Sequence, residues 1–170
     1  GEGEVRVKHN AVGLNFIDVY QRTGLYDIGA LPATLGMEGA GVIEEVGAGV
    51  EGFATGDRVG YAMGLGSYSE VRLMATDRLV KVPDNIDDQT AAAMMLQGMT
   101  SRYLLKSSYA VQFGDTILIM AAAGGVGQIM SQWASHLGAT VIGCVGSEEK
   151  AALAKANGCV HTILYNTEDV

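Results

Sequence analysis

Thr116-Ile117-Leu118-Ile119-Met120-Ala121-Ala122-Ala123-Gly124-Gly125-Val126-Gly127 reads as a buried strand that runs into a small-residue turn and then a helix start. Gly124 and Gly127 let a backbone approach a diphosphate, and the helix N-terminus beyond them offers amide hydrogens to an anion. The first glycine of a GxGxxG pattern is Ala122 here, so the motif alone is weak and its context carries the reading. Ile129 to Leu137 places small and apolar residues at helical spacing, and Gly138 stops the run. Thr140-Val141-Ile142-Gly143-Cys144-Val145 then reads as a second buried strand. The whole is a βαβ unit of the ~30-residue size expected for a mononucleotide-binding half. The competing reading is a glycine turn that serves only helix–strand packing.

The end of the second strand chooses between cofactors. NAD-selective folds carry an Asp or Glu there to accept from the ribose 2′-hydroxyl. This chain has Val145 and Gly146, followed by Ser147-Glu148-Glu149-Lys150. No carboxylate stands where it would repel a 2′-phosphate, Ser147 can donate to one, and Lys150 brings a positive charge one turn along. NADP(H) is therefore expected over NAD(H). The plainer alternative is that Ser147 and Glu149 only cap a helix and Lys150 is a solvated surface residue.

Composition narrows the function classes. The 170 residues are 48% hydrophobic, with 24 glycines and two prolines, which suits one or two globular α/β or mixed domains. A net charge of −8 argues against nucleic acid or an anionic membrane as the main partner. No apolar run approaches the roughly 18–20 residues of a membrane span, and no secretory signal is visible. Cys144 and Cys159 form no CxxC and read as buried free thiols of a reducing, cytoplasmic compartment. Three parallel strands would leave a bare apolar edge where a full dinucleotide fold has about six. The expectation is a piece of a longer chain.

The first 88 or so residues are β-rich and punctuated by glycine. Glu4 to His9, Gly39 to Val46, Asp57 to Tyr61, Tyr68 to Leu73 and Arg78 to Val82 read as short strands, a spacing that suggests a partly closed barrel. A helix is expected from Asp87 or Asp88 through Leu96 and a second from about Thr100 to Ser108. Met94, Met95 and Met99 read as core packing and not as a ligand cluster. The expected organisation is a β domain with a bridging helix over residues 1–99, then a partial Rossmann domain over 100–170.

A β-rich part, a helical bridge and AAxGGVG follow the order seen in the medium-chain dehydrogenase/reductases. Gly36-Met37-Glu38-Gly39-Ala40-Gly41-Val42 and Gly56-Asp57-Arg58-Val59 mark the superfamily. Asn15-Phe16-Ile17-Asp18-Val19-Tyr20 with Ala121 to Gly127 resembles its zinc-free, zeta-crystallin-type quinone oxidoreductase branch, which uses NADPH. The resemblance implies a GroES-like, partly closed barrel followed by a doubly wound parallel sheet, and a homodimer for the full-length protein. It also implies that Asn15 and Met37 stand where zinc relatives carry a cysteine and a histidine, so no catalytic metal is expected.

The same resemblance assigns roles. Asn15 would hydrogen-bond a carboxamide, a ribose or an acceptor carbonyl, unless it is a turn asparagine bonded to its own backbone. Phe16, Ile17 and Asp18 line the nicotinamide end, with Asp18 open to pairing with Arg22 one turn on. Tyr20 and Tyr26 donate to a quinone oxygen or present a flat face, or else pack half-buried. Thr100 and Tyr103 flank the cofactor, and Gly124, Gly125, Val126 and Gly127 take the diphosphate. Gly146, Ser147, Lys150 and Tyr165 take the adenosine 2′-phosphate, although Tyr165 also reads as a simple strand end. Glu38 reads as structural. The implied reaction carries reducing equivalents from NADPH to a quinone; the alternatives are an NADPH-dependent enoyl or enone reductase and a non-catalytic, crystallin-like NADPH-binding protein.

Overall fold

Val5 and Val7 are buried while Lys8 is exposed, and this alternation sets the face that β1 (Glu4–Val12) turns inward. The computed structural model describes residues 1–170, which divide into two compact units, Gly1–Leu96 and Gln97–Val170. In the first unit β1 pairs antiparallel with β2 (Glu38–Val46), and β2 with β3 (Arg58–Ala62). Outside them lie β4 (Val71–Ala75) on β1 and β5 (Leu79–Lys81) on β3, giving the order β4-β1-β2-β3-β5. The two outer strands are joined only by a 3₁₀ turn, Thr76–Arg78. Such a turn rises about 2 Å per residue, far less than the roughly 19 Å across a flat five-stranded sheet. The sheet must therefore roll. No ladder joins β4 to β5, so the barrel is partial and held open on one side. Val5, Val7, Ile43, Val59, Tyr61, Met74 and Leu79 fill its interior.

Between β1 and β2 the chain forms α1 (Phe16–Arg22), with Asn15 at its N-cap. α2 (Asp88–Tyr103) is one continuous helix where two were expected, and the division between the units falls inside it. Asp87 starts it: its carboxylate accepts from Thr90 N at 2.7 Å and Thr90 Oγ1 at 3.0 Å. Gly98 costs a helix only about 1 kcal/mol, too little to break one flanked by Met, Leu and Gln. The helix instead widens into a π-helical turn at Leu104–Ser108. The methionine expectation fails in part, since Met94 and Met99 are 44% and 50% exposed while the Met95 thioether lies beside Gly60.

The second unit is a parallel sheet, β6 (Thr116–Met120), β7 (Thr140–Val145) and β8 (His161–Leu164), in that order. α3 (Gly125–His136) and α4 (Glu148–Ala156) form the crossovers. Central β7 buries Val141, Cys144 and Val145. Ile119, Ala122, Ala134, Ala151 and Ala154 pack around it. Cys144 and Cys159 are buried and unbonded to one another. No helix is long and apolar enough to cross a membrane.

Candidate functional site

The glycine turn forms because α3 must begin almost on top of the end of β6. Ala121 adopts φ +50, Gly124 N donates back to Ala121 O at 2.8 Å, and Gly124 becomes the N-cap. A Cβ on Gly127 would lie 2.4 Å from Ala121 O and 2.7 Å from Ala122 Cα, so only glycine allows this approach. Gly124 and Gly125 are exposed, Val126 is partly buried and Gly127 is buried. The first amides of α3 have no carbonyl one turn back, which leaves N–H groups and the positive end of the helix dipole open to an anion. Gln97 lies on this turn: a Cβ on Gly125 would meet its side-chain amide at 2.2 to 2.6 Å. Ser101 Oγ, fully buried, bonds Gln97 O at 2.8 Å and approaches Val126 O at 3.4 Å.

Past β7, Tyr165 meets Gly146, and Ser147 and Lys150 stand together in the first turn of α4. The Tyr165 hydroxyl stands 2.6 Å from where a Cβ of Gly146 would be, so this phenol covers the glycine's backbone. Asn166 Nδ2 donates to Gly146 O at 2.8 Å and fixes the loop. Ser147 caps α4, accepting from Lys150 N at 3.3 Å, which leaves its O–H free to donate. Lys150, Glu149, Leu153 and Ala123 of the glycine turn line a cavity of about 520 Å³. The capping and phosphate readings of Ser147 are thus compatible. On α2, Thr100 is partly buried and the Tyr103 ring is half exposed.

In the first unit the expected residues form a polar cluster and an aromatic edge. Asn15, only 8% exposed, donates from Nδ2 to Glu38 Oε1 at 2.7 Å. Glu38 has no exposure; its Oε2 accepts the Leu96 N–H at 2.7 Å. Asn15 N donates to Asp18 Oδ2 at 2.8 Å, and Tyr68 OH donates to the same oxygen at 2.8 Å. The expected Asp18–Arg22 pair does not form. Asp18 turns inward, where an amide and a phenol are within reach, and its Oδ1 remains buried without a partner. Ile17 is partly buried. Phe16, Tyr20 and Tyr26 form an exposed run with ring centroids 6.3 Å and 5.4 Å apart. Tyr26 also lines a cavity of about 510 Å³ with Gln21, Arg22 and Leu35.

Burial pushes the Glu38 carboxyl above its ordinary value; the Leu96 N–H and Asn15 amide oppose the shift, and nearby Asp18 reinforces it. Burial, then the hydrogen bond to Asp18, pushes Tyr68 up to about 12, so its phenol stays protonated. Folded Glu38 holds its proton more tightly than unfolded Glu38. Its contribution to stability is therefore whole below the unfolded value of 4.5 and is lost as pH rises through the raised folded value. Urea unfolding across that window is expected to show wild-type stability falling relative to Glu38→Gln as pH increases. Parallel curves would contradict the burial.

Sequence reasoning missed Tyr68, Gln97 and Ser101, and gave Glu38 no partner. Tyr68 lies in a loop, ahead of the strand expected to contain it. One usable signal was Gly13, two residues before Asn15, where a Cβ would strike Glu38.

Zinc does not fit these donors. Met37 offers a thioether that accepts from Gln21 Nε2 at 3.7 Å, Asn15 commits its amide nitrogen to Glu38, and both His9 ring nitrogens are bonded, to Ser69 O and Tyr61 OH. A catalytic zinc needs three protein ligands of thiolate, imidazole or carboxylate type.

Residues 1–84 match the alcohol dehydrogenase GroES-like domain family and residues 125–170 the zinc-binding dehydrogenase family. A quinone oxidoreductase of Pseudomonas aeruginosa is 53% identical across 100% of this chain and 53% of its own length. A 2-haloacrylate reductase of a Burkholderia species is 49% identical over 99% of this chain and 53% of its own. The crystal structure of Escherichia coli quinone oxidoreductase complexed with NADPH matches at a TM-score of 0.97 and 45% identity, over 99% of this chain and 52% of that one. The chain spans about half the length of the relatives it matches. The chain thus carries an alcohol dehydrogenase GroES-like domain followed by a zinc-binding dehydrogenase domain, and along its whole length it is similar to quinone oxidoreductases.

Proposed function

We propose that the full-length protein carries reducing equivalents from NADPH to a quinone without zinc. The observation that supports this most is the site beyond β7, where Tyr165 covers Gly146, Lys150 faces the cavity beside Ala123, and no carboxylate ends the strand. In this reading the amides of Gly125, Val126 and Gly127 hold the diphosphate, and Ser147, Lys150 and Tyr165 bind the 2′-phosphate. Thr100 and Tyr103 flank the cofactor, and Phe16, Ile17 and Asp18 contribute to the nicotinamide end. Bound NADPH supplies a hydride from its nicotinamide C4. Tyr20 and Tyr26 offer phenolic donors and flat faces to a quinone, and Asn15 adds an uncharged hydrogen-bonding group. A quinone that has received a hydride needs only one proton, which water can give, so no side chain here has to act as a general acid. The crystal structure of the Escherichia coli relative with NADPH, and the similar quinone oxidoreductases, favour the same reading.

Lys150→Glu in the full-length protein is expected to weaken NADPH binding by roughly 10- to 100-fold, the value of a charge-assisted contact, and to leave NADH binding unchanged. Fluorescence titration of both cofactors checks it; equal NADPH affinities would remove Lys150 from the site. Quinone-dependent NADPH oxidation should survive dialysis against a zinc chelator. The 2-haloacrylate reductase relative favours one other reading, reduction of a C=C bond conjugated to a carbonyl. Comparing 1,2-naphthoquinone with 2-chloroacrylate and an enoyl thioester as NADPH oxidants separates the two.

A further inference from the structure

Glu38 is an uncompensated buried carboxylate. It has no exposure and no cation beside it; its charged neighbour is Asp18, itself held by Tyr68 OH and Asn15 N. Two N–H groups hold it, Asn15 Nδ2 and the Leu96 amide, both at 2.7 Å. Gly13 makes the room, since a Cβ there would lie 2.2 Å from Glu38 Oε1. Burying a carboxylate on two amide donors alone is costly, which points to a role outside stability.

An ionised carboxylate can only accept, so it fixes which end of a neighbouring amide faces it. Asn15 must turn its NH₂ to Glu38 and its Oδ1 away, toward the Asp18 N–H of the capping box that opens α1, which leaves the oxygen's second lone pair for a ligand. We infer that Glu38 is the positioning residue of the site: it sets the polarity of Asn15, which therefore reads a hydrogen-bond donor on the ligand. This rests on the proposed function, in which Asn15 meets ligand. It narrows the chemistry, because a quinone carbonyl is not a donor. The group that Asn15 recognises is the carboxamide N–H or ribose hydroxyl of the cofactor, or the O–H of a reduced acceptor.

Glu38→Gln tests this with little change of shape. The Leu96 N–H cannot turn round, so the introduced glutamine must give it the side-chain oxygen and point its NH₂ at Asn15. Asn15 then either inverts, presenting NH₂ to the ligand's donor, or faces NH₂ with NH₂. Asn15→Asp restores an acceptor on both sides of residue 15 in the Glu38→Gln background, whereas in wild type it sets carboxylate against carboxylate.

In the full-length protein, Asn15→Ala and Glu38→Gln are each expected to cost about tenfold or more, the size of one misdirected hydrogen bond. Asn15→Asp in the Glu38→Gln background should recover most of that loss, with urea midpoints serving as the folding control. Titration with NADPH, and with its 3-acetylpyridine analogue that lacks the carboxamide N–H, locates the donor. If the loss appears in NADPH affinity and is absent with the analogue, the carboxamide is read. A loss equal with both cofactors indicates the ribose hydroxyl, and one confined to the acceptor's kinetics or quinol inhibition indicates the reduced acceptor. If Asn15→Ala has no effect, the placement of Asn15 at the site fails and the inference with it. If Asn15→Ala impairs function while Glu38→Gln does not, or the double variant is no better than Glu38→Gln, the positioning role alone is overturned.

Discussion

Gly127→Ala is expected to weaken NADPH binding by about a hundredfold and to destabilise the second unit by about 1–3 kcal/mol, the usual cost of overpacking. The added methyl would lie 2.4 Å from Ala121 O, 2.7 Å from Ala122 Cα and 2.8 Å from Ala122 C. These are backbone atoms at the end of β6, and no rotamer change moves them aside. α3 must back away from the strand, carrying its first amides out of position. Binding suffers more than stability because several N–H groups are displaced together from a phosphate geometry that tolerates little error. Gly124→Ala is the internal comparison: its methyl meets only Ala121 O, at 3.1 Å, and a few tenths of an ångström relieve it. The turn already carries Ala122 where a glycine-rich fingerprint would have its first glycine. NADPH titration with urea unfolding of both variants checks the ordering. Equal losses would mean that the close approach at Gly127 is not what shapes the cradle.

That contrast shows what was legible in the sequence. The β6–α3–β7 unit is local: an apolar run, a small-residue turn and a 3.6-residue period lie within one stretch, so chain order supplied its geometry. The residues proposed for the 2′-phosphate could be named for the same reason, since Gly146, Ser147 and Lys150 are neighbours in the chain. The roll of the first sheet was suggested only by strand spacing, and its cause, the short link between β4 and β5, appears once the pairing is known. Glu38 was not legible. Its partners Asn15 and Leu96 are 23 and 58 residues away, and Tyr68 is 50 from Asp18. Spacing rules written for one helix favoured Arg22 for Asp18, and a tertiary contact won. The single long α2 overrode Gly98 because a local penalty of about 1 kcal/mol is small beside the packing of a helix.

Gly13→Ala is expected to destabilise the first unit by about 3–5 kcal/mol, the cost of breaking a buried charged interaction. Gly13 is not among the glycines with positive φ, so the backbone itself accepts alanine and the cost lies in contact. The methyl would lie 2.2 Å from Glu38 Oε1, 2.5 Å from Glu38 Cγ and 2.6 Å from Ala92 O. Glu38 has no solvent to retreat into. Moving it loosens the Asn15 and Leu96 hydrogen bonds and leaves a carboxylate buried without donors. Gly52→Ala separates contact from strain: there φ is +79 with nothing within 4 Å of the new methyl, so about 1–2 kcal/mol of left-handed strain is all that is expected. The decisive measurement is a double-mutant cycle by urea unfolding of the full-length protein. With Glu38→Ala in place, Gly13→Ala should cost clearly less than it does alone, because two of its three close contacts have gone. The residual cost belongs to Ala92 O, which stays. Strict additivity would mean that Glu38 yields freely, and a carboxylate that yields freely cannot hold the Asn15 amide in one orientation.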